Sequence, residues 1–278
     1  MGNKKVSDYD IERLGDTNSV NQIAIEHLHR YKFASNFIKN KIVLDIACGE
    51  GYGSNLLSKN ASKVIAVDID KETLEHAKNK YSTSNIDFKH GSVTNIPLLS
   101  KSIDVIVSFE TLEHILEHEK MIDEFKRVIK DDGIIIISSP NKLNYTDKVN
   151  HVNTHHLKEL YESEFIDLMK NNFEFFDIYY QDYINNSVIA PKDSSVIIYN
   201  GDFNQINNYT ISENAKYLIA LIGIAAKIPY QKDSVFFNQD FNHSTVKIEG
   251  MNSIKKSWSY QLGNLLLKPF SFMKRLVK

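Results

Sequence analysis

The segment Lys41-Ile-Val-Leu-Asp-Ile-Ala-Cys-Gly-Glu-Gly-Tyr-Gly53 decides the fold, because a short apolar run leads there directly into closely spaced glycines. An apolar run without polar alternation is typical of a strand buried on both faces, here at Val43–Ala47. Glycines after such a strand let the chain turn tightly and let its backbone approach a ligand closely. The segment therefore predicts a first β-strand followed by a ligand-binding loop.

Predicted helices and strands alternate after this loop. The pattern predicts a helix over Gly53–Lys59, a strand over Lys63–Asp68, a helix over Lys71–Lys80, strands over Ile86–Lys89 and Ile103–Phe109, a helix over Lys120–Lys130 that is ended by Asp131–Gly133, and a strand over Gly133–Pro140. Such alternation is typical of a parallel sheet with helices on both faces. We therefore expect an α/β protein with a doubly wound, mostly parallel sheet.

The flanking segments are less regular. Apolar residues at helical spacing predict an amphipathic helix over Asn21–Asn40. Further along, we expect a helix over His155–Lys170 and a strand over Phe173–Tyr180. Lys216–Gly223 suits either a strand or a short buried helix. Between the segments Phe173–Tyr180 and Lys216–Gly223, residues Gln181–Asn214 are rich in Asn, Ser and Asp, which predicts a loop or a small insertion.

The end of the chain is basic. Residues 251–278 carry six Lys or Arg residues and no acidic residue, with Trp258 and several Leu and Phe interleaved. This pattern suits a helix packed on the domain, or a helix that contacts a membrane surface or a protein partner. We therefore expect an N-terminal helical segment at 1–40, a main domain at 41–226 with an insertion near 181–214, and a C-terminal extension at 227–278.

Composition excludes several classes of protein. Cys48 is the single cysteine, so an intrachain disulfide, a four-cysteine zinc site and a three-cysteine iron–sulfur cluster cannot form. A net charge of −2 gives no general attraction to phosphate backbones, which argues against a nucleic acid partner. The polar start lacks a secretory signal, and no stretch approaches the roughly 20 apolar residues of a membrane span. We expect a soluble, cytoplasmic protein.

The charges around the glycine loop distinguish two nucleoside cofactors. Asp68 lies at the end of the next strand, where a carboxylate can accept hydrogen bonds from ribose hydroxyls, and this also suits NAD. However, Ser54 stands where the dinucleotide fingerprint requires its third glycine. Asp45 and Glu50 would repel a pyrophosphate, by about 4 kcal/mol for a pair near 4 Å. S-adenosylmethionine carries a sulfonium and an ammonium group and no phosphate, so the charges favour it.

Four motifs in this order resemble the class I S-adenosylmethionine-dependent methyltransferases, of the type 11-like group. They are the glycine loop at Asp45–Gly53, then Val64-Ile-Ala-Val-Asp68-Ile-Asp70, Ser108-Phe-Glu-Thr-Leu-Glu-His114 and Phe125-Lys-Arg-Val-Ile-Lys-Asp-Asp-Gly133. The similarity covers about residues 21–180. It implies a Rossmann-like fold with a seven-stranded sheet, S-adenosylmethionine as the cofactor, and methyl transfer as the activity.

The resemblance also implies a role for each matching residue. Asp45, Gly49 and Gly51 would surround the methionine part of the cofactor. Asp68 would bind the ribose, and Ile69 would lie against the adenine. The remaining implied cofactor contacts are Ala47, Ser92, Val93, Phe109 and Glu110.

Some of these positions depart from the family pattern or have a simpler explanation. The family often has Gly-Asp-Ala where this chain has Gly91-Ser92-Val93, so Ser92 replaces a carboxylate that meets the adenine amino group. Asp70 is equally explained as the cap of the helix that follows it, and Gly53 as a contact between helix and strand. Cys48 fits a packed side chain better than a nucleophile, since no activating base is identifiable beside it.

Histidines are the candidates for a general base, because their usual pKa lies near neutrality. His114 follows the fourth strand, and His155 and His156 follow the fifth, so all three should lie along the cofactor edge. A structural hydrogen bond explains His114 equally well. A metal site formed by His151, His155 and His156 is the other interpretation. We expect no metal site, because no further ligand is identifiable beside them.

The acceptor is constrained mainly by what is missing. Methyltransferases that modify amino groups of bases carry a proline pair after the fourth strand, and Phe109-Glu-Thr-Leu112 contains none. Ser139-Pro-Asn-Lys142 and Asn153-Thr-His-His156 resemble segments of methyltransferases from surface-glycan and small-metabolite pathways. We therefore expect O-methylation of a small molecule or a sugar intermediate. A cofactor-binding partner subunit without catalysis and a nicotinamide oxidoreductase are the alternatives.

Overall fold

The computed structural model describes residues 22–150, 152–184, 186–192, 194, 198–201, 206–229 and 232–236. The basic tail at 251–278, most of the predicted extension at 227–278, His151 and the first 21 residues lie outside these ranges. The expectations for those parts of the chain therefore remain predictions.

Helices and strands alternate in the first half of the described chain. They are α1 (Gln22–Ala34), β1 (Ile42–Ile46), α2 (Tyr52–Ser58), β2 (Lys63–Asp68), α3 (Lys71–Lys80), β3 (Ile86–His90), β4 (Ile103–Ser108), a 3₁₀ turn (Leu112–His114), α4 (His118–Val128) and β5 (Ile129–Pro140). A π-helical turn (Leu143–Asp147) follows, then α5 (Glu162–Asn172), β6 (Phe175–Tyr183), β7 (Ser187–Pro191), β8 (Ile198–Gly201), β9 (Ile206–Tyr209), α6 (Ile211–Asn214), β10 (Tyr217–Gly223) and β11 (Ser234–Phe236).

Nine strands form one sheet in the order β11-β7-β6-β10-β5-β4-β1-β2-β3, and β8 pairs with β9 in a separate two-stranded sheet. The five strands from β3 to β5 are parallel to their neighbours. The other half is antiparallel, with β10 inserted between β5 and β6. Since β2 and β4 flank β1 and the chain order reverses there, the carboxyl ends of β1 and β4 form the crevice where such sheets bind ligands.

The sheet is covered on both faces, as the sequence predicts for a doubly wound fold. On one face, α1 and α2 pack on alternate strand residues such as Val43 and Val107. On the other face, α4 and α5 pack on residues such as Leu44 and Ile106. Because neighbouring residues of a strand point to opposite faces, this double burial explains the continuous apolar runs of the central strands.

Helix α1 also joins the two halves of the sheet. His29 contacts the hydroxyls of Ser187 on β7 and Ser234 on β11, at 3.0 and 2.9 Å. The next residue, Arg30, donates from Nη1 to Oε1 of Gln181 on β6, at 2.7 Å. Tyr31 reaches the opposite way and donates to Asp45 on β1, at 3.3 Å. One helix therefore holds the antiparallel flank and β1 together.

The sheet differs from the seven-stranded prediction in its antiparallel half. Two additional strands, β7 and β11, come from segments that the sequence analysis assigned to a loop or insertion and to the C-terminal extension. Both are short edge-side strands, of 5 and 3 residues, and so lack the length from which a sequence pattern can be recognised. At Tyr217–Gly223 a strand, and not a short helix, pairs with neighbours on both sides.

Three predicted helix boundaries are wrong. Helix α1 ends at Ala34, six residues before Asn40. Asp131–Gly133 does not end α4 but lies inside β5, where the pairing with β4 shifts register between Ile103 and Val105. The helix predicted over His155–Lys170 begins only at Glu162, because the preceding residues form a turn that is hydrogen-bonded to the 3₁₀ turn. None of the described helices is long and apolar enough to span a membrane.

Candidate functional site

The loop after β1 has a left-handed backbone at three positions. Ala47, Gly49 and Gly51 have φ angles of 60°, 50° and 75°. A Cβ atom on Gly51 would lie 3.0 Å from both Ala77 and Phe88, so only glycine fits between the loop and its neighbours. A Cβ atom on Gly49 would meet nothing within 4 Å. The loop is thus packed on one side and faces open space at Gly49.

Asp68 fastens this loop to β2. Its Oδ2 accepts a hydrogen bond from the Gly49 backbone N–H at 2.8 Å, and its Oδ1 accepts from the Asp70 N–H at 2.9 Å. A carboxylate has about four lone-pair directions, so each oxygen can still accept a bond from a ribose hydroxyl. Ile69 follows with 70% of its surface exposed, as a residue that contacts a planar base would be. The ribose role of Asp68 and the adenine role of Ile69 remain predictions.

Asp45 lies beneath the loop. It is 1% exposed, and its carboxyl group accepts hydrogen bonds from Ser54 at 2.5 Å and from Tyr31 at 3.3 Å. Burial raises the pKa of Asp45 to about 7. The carboxylate expected to attract the sulfonium is therefore only partly charged near neutral pH. Its placement supports the loop through Ser54 and Tyr31.

The raised pKa of Asp45 makes a testable statement about stability. A folded-state pKa of about 7, against 3.8 for the ordinary group, means that the folded protein holds this proton more tightly than the unfolded chain. The stabilisation is complete below pH 3.8 and is lost as the pH rises through 7. When the pH is raised from 5 to 8, the free energy of unfolding of the wild type is expected to fall by about 2 kcal/mol more than that of Asp45→Asn.

Urea denaturation at both pH values measures this difference, and Asp123→Asn, at an exposed carboxylate of α4, serves as the control. Equal pH dependence in wild type and Asp45→Asn would show that Asp45 is ionised throughout this range.

Arg30 is a buried cation that the sequence analysis missed. It lies within α1, its Nε is 4.0 Å from Oε1 of Glu110, and its guanidinium lies over the Tyr217 ring at 4.6 Å. Although Nη1 is bonded to Gln181, its buried Nε and Nη2 have no hydrogen-bond partner among the described residues. Buried guanidinium donors normally bind an acceptor, so two donors of this side chain can still form a hydrogen bond.

Glu110 lies opposite Arg30 at the end of β4. Its backbone has a φ angle of 50°, and its N–H donates to the Ser138 hydroxyl at 3.2 Å. That hydroxyl in turn donates to Oε1 of Glu110 at 2.5 Å. Two contacts with one serine fix the carboxylate at the crevice edge. Its predicted contact with the cofactor is untested.

The other predicted contacts surround the same edge. Phe109 is buried and packs edge-on against Tyr31, with ring centroids 5.1 Å apart. Val93 is also buried, while the Ser92 hydroxyl is hydrogen-bonded to the hydroxyl and the backbone N–H of Thr94. Burial raises the pKa of the Cys48 thiol far above its usual value, which fits a packed side chain. The roles of Ser92, Val93 and Phe109 at the cofactor remain predictions.

The candidate histidines belong to a second group of side chains, around the 3₁₀ turn. The Glu113 carbonyl accepts from the N–H groups of Leu157 and Lys158, at 2.8 and 3.0 Å, and this holds the 153–158 turn in place. As a result the His114 and His156 rings meet edge to face, with centroids 5.0 Å apart. His155 contributes its backbone carbonyl, which lies 3.0 Å from Nδ1 of His114. Whether any of the three acts as a base remains a prediction.

Glu113 is the residue that the sequence analysis did not identify in this group. Side-chain ligand atoms of Glu113, His114 and His156 lie within 4.8 Å of one another. The expectation of no metal site depended on the lack of a further ligand beside the histidines, and Glu113 supplies one. The signal was present in the sequence as the Glu113-His114 pair, but it required the fold to bring His156 beside that pair.

A cleft of about 760 Å³ lies beyond the end of β5. It is lined by Asn141, Leu143, Asn144, Lys148, Tyr161, Glu162, Ser163, Tyr180, Lys192, Ser212 and Glu213. The π-helical turn forms one wall of the cleft, and Tyr145 on this turn stacks on His156 with ring centroids 5.5 Å apart. The cleft and the histidine group therefore share a wall.

Comparison with known proteins gives one family and several relatives. Residues 44–137 match the family described as "Methyltransferase domain". A Mycolicibacterium smegmatis protein named "Probable S-adenosylmethionine-dependent methyltransferase" is 33% identical over 129 residues, which are 46% of this chain and 49% of that protein. The "Ubiquinone biosynthesis O-methyltransferase" of Pelagibacter ubique is 30% identical over 149 residues, which are 49% of this chain and 62% of that protein.

These matches cover parts of the proteins only. The chain spans about half the length of the first curated relatives that it matches. Among solved structures, the YcgJ protein from Bacillus subtilis superposes with a TM-score of 0.54 at 19% identity, over 73% of this chain and all of that one. That likeness supports the fold, and the family match supports the cofactor class.

Proposed function

We propose that this chain, in which residues 44–137 form a class I S-adenosylmethionine-dependent methyltransferase domain, is an O-methyltransferase for a small molecule or a sugar intermediate of glycan assembly. The observation that carries the proposal is the crevice edge. There, the open face of the loop at Gly49 lies one hydrogen bond from the carboxylate of Asp68, and Arg30 lies 4.0 Å from Glu110 at the end of β4, so the groups present suit an amino acid nucleoside.

Asp68 and Arg30 would bind different parts of the cofactor. The ribose hydroxyls suit Asp68, and the carboxylate of the methionine part suits the two Arg30 donors that no described residue satisfies. A charge-assisted bond between guanidinium and carboxylate is about twice as strong as a neutral one. The ammonium group, in turn, suits Glu110 beside Arg30. We therefore assign the methionine end to the carboxyl end of β4.

This assignment predicts how the protein discriminates between ligands. 5′-Methylthioadenosine keeps the adenosine but lacks the amino acid carboxylate, and it is expected to bind about 100-fold more weakly than S-adenosylhomocysteine. In Arg30→Met most of that difference should disappear, because only the ligand with a carboxylate loses a contact. Calorimetry with both ligands measures this. An equal loss of affinity for both ligands in Arg30→Met would assign Arg30 to structure alone.

The chemistry needs alignment more than it needs reactive groups. An acceptor oxygen attacks the methyl carbon, the new C–O bond forms as the C–S bond breaks, and the electron pair remains on sulfur, which gives S-adenosylhomocysteine. The acceptor hydroxyl loses its proton to a base or to water. Holding the two reactants in line can supply roughly 7–11 kcal/mol of the barrier. The group formed by Glu113, His114 and His156 lies three residues beyond Glu110 and is suited to assist the proton transfer.

The cleft beyond β5 offers hydrogen-bonding groups to a hydroxylated acceptor. Asparagine, serine, tyrosine and lysine side chains are among those that line it, and these groups can pair with sugar hydroxyls. The name of the Pelagibacter ubique relative, an O-methyltransferase, agrees with oxygen as the acceptor atom.

The direct test is transfer of a labelled methyl group. Protein incubated with methyl-labelled S-adenosylmethionine is expected to label a hydroxyl in a panel of sugar nucleotides, glycosides and phenols, and mass spectrometry locates the label. Binding of S-adenosylhomocysteine without transfer to any member of the panel would favour a non-catalytic subunit. Heat with a dinucleotide but none with either sulfur compound would overturn the cofactor assignment as well.

A further inference from the structure

We propose that Glu113, His114 and His156 bind a divalent transition-metal ion, of which Zn²⁺ is the best match, at the edge of the acceptor site. The metal-binding part of this inference stands on the geometry of the three side chains. Its catalytic part, in which the ion activates the acceptor oxygen, rests on the proposed function.

The three side chains offer a suitable set of ligands. Two imidazoles and one carboxylate are typical of catalytic zinc sites, which keep a fourth position open for water or substrate. Their ligand atoms lie within 4.8 Å of one another. Ligand atoms at roughly 2 Å from one ion lie at most about 4 Å apart, so small side-chain rotations would complete the site. Glu113 is 1% exposed and the His114 side chain 35% exposed, so the group is accessible from the His114 side.

The outer contacts of both histidines favour this role. Nδ1 of His156 lies 2.5 Å from Oε1 of Glu159, and the other Glu159 oxygen accepts from the Thr146 hydroxyl at 2.6 Å. Nδ1 of His114 lies 3.0 Å from the His155 carbonyl. Metal-binding histidines characteristically donate the second ring N–H to a carboxylate or a carbonyl. With the proton on Nδ1, the Nε2 lone pair of each ring is the ligand.

The neighbouring groups agree with that tautomer. The Asn153 amide donates to Nε2 of His156 at 3.0 Å, so this nitrogen already acts as an acceptor, and a metal ion would replace the amide. Nε2 of His114 is the nitrogen directed at Glu113, 4.0 Å from its Oε1. Two buried carboxylates, Glu113 and Glu159, accompany the two imidazoles. A divalent cation would balance their two negative charges.

The position of the group connects it to methyl transfer. Ser138 binds Glu110 at 2.5 Å, and the next residue, Ser139, donates to Glu113 at 3.4 Å. The proposed metal site and the predicted methionine end of the cofactor therefore lie at the same carboxyl end of β5. An ion there would bind the acceptor oxygen and lower the pKa of its hydroxyl, so that the proton leaves to solvent before the oxygen attacks the methyl carbon.

The test is calorimetric titration of untagged, chelator-treated full-length protein with Zn²⁺ and, separately, with Mg²⁺. We expect one Zn²⁺ per chain, and weaker or no binding of Mg²⁺, which prefers all-oxygen sites. Glu113→Gln, His114→Ala and His156→Ala are each expected to weaken Zn²⁺ binding about 100-fold. His76→Ala is the matched control, because His76 also lies 2.5 Å from a carboxylate, that of Glu50, but has no third ligand among the residues that the structure describes.

Circular dichroism and thermal unfolding check that each variant is folded, and Glu113→Gln keeps the site testable if a histidine variant is not. Absence of Zn²⁺ binding, or the same affinity in wild type and Glu113→Gln, would overturn the metal site. S-adenosylhomocysteine is titrated into the same samples. Binding of this ligand without Zn²⁺ binding would overturn the metal inference alone, whereas Zn²⁺ binding without it would overturn the proposed function alone.

Discussion

Asp68→Ala is expected to weaken the binding of S-adenosylhomocysteine by about 100-fold, or about 3 kcal/mol. The substitution removes the predicted acceptor of both ribose hydroxyls. It also leaves the backbone N–H groups of Gly49 and Asp70, which now donate at 2.8 and 2.9 Å, without their carboxylate. The loop after β1 then keeps its backbone hydrogen bond from Cys48 to Val67 but loses its tie to the Asp68 side chain, so that the site loses a ligand contact and part of its fixed shape together. Calorimetric titration measures the change.

Asp70→Ala is the matched control, two residues further along the chain. Its carboxylate caps α3 by accepting from the N–H groups of Glu72 and Thr73. Loss of this cap should lower the free energy of unfolding by about 1 kcal/mol and leave the affinity for S-adenosylhomocysteine within a few-fold. If Asp70→Ala and Asp68→Ala weakened binding equally, the ribose role of Asp68 would be wrong.

Gly53→Ala is expected to destabilise the protein by about 2–4 kcal/mol. A Cβ atom at this position would lie 1.9 Å from Cζ of Tyr31. That ring is confined edge-on between Tyr52 and Phe109, so it can move aside only by giving up its hydrogen bond to Asp45. Within a helix alanine is otherwise favoured over glycine by roughly 0.5–1 kcal/mol, so any loss comes from the collision. Urea denaturation measures the free energy of unfolding.

Gly49→Ala separates this collision from ordinary backbone strain. Its φ angle of 50° disfavours alanine, but the added Cβ atom would meet nothing within 4 Å, so a loss of only about 1 kcal/mol is expected. A Gly53→Ala protein as stable as the wild type would mean that the Tyr31 ring is not held against α2.

The parallel half of the sheet could be predicted closely from the sequence. Lys63–Asp68 and Lys71–Lys80 are a strand and a helix with the predicted bounds. Buried strands produce apolar runs and amphipathic helices produce a period near 3.6, and both signals are local. The family resemblance supplied the cofactor, and the match over residues 44–137 agrees with it.

The rest could not be predicted because its causes are not local. His156 meets His114 only because the turn before α5 bonds to the Glu113 carbonyl, in a segment whose apolar spacing suggests a helix. Arg30 lies on a helix and looks like a solvated charge until Glu110 and Tyr217 are placed beside it. Strands β7 and β11 form because they pair with neighbouring strands. Such features depend on long-range contacts.

Three consecutive residues of α1 connect the local unfolding of this helix to that of the sheet. His29 is bonded to the antiparallel flank, Arg30 faces the predicted methionine end and Tyr31 reaches under the glycine loop. The helix therefore cannot fray from the sheet by itself, because release at one residue removes support at the other two. We therefore expect α1, the loop after β1 and the outer strands β7 and β11 to unfold as one cooperative unit. Their local unfolding would release a ligand bound at the proposed cofactor site. A ligand bound there would in turn slow the exchange of amide hydrogens as far away as β11.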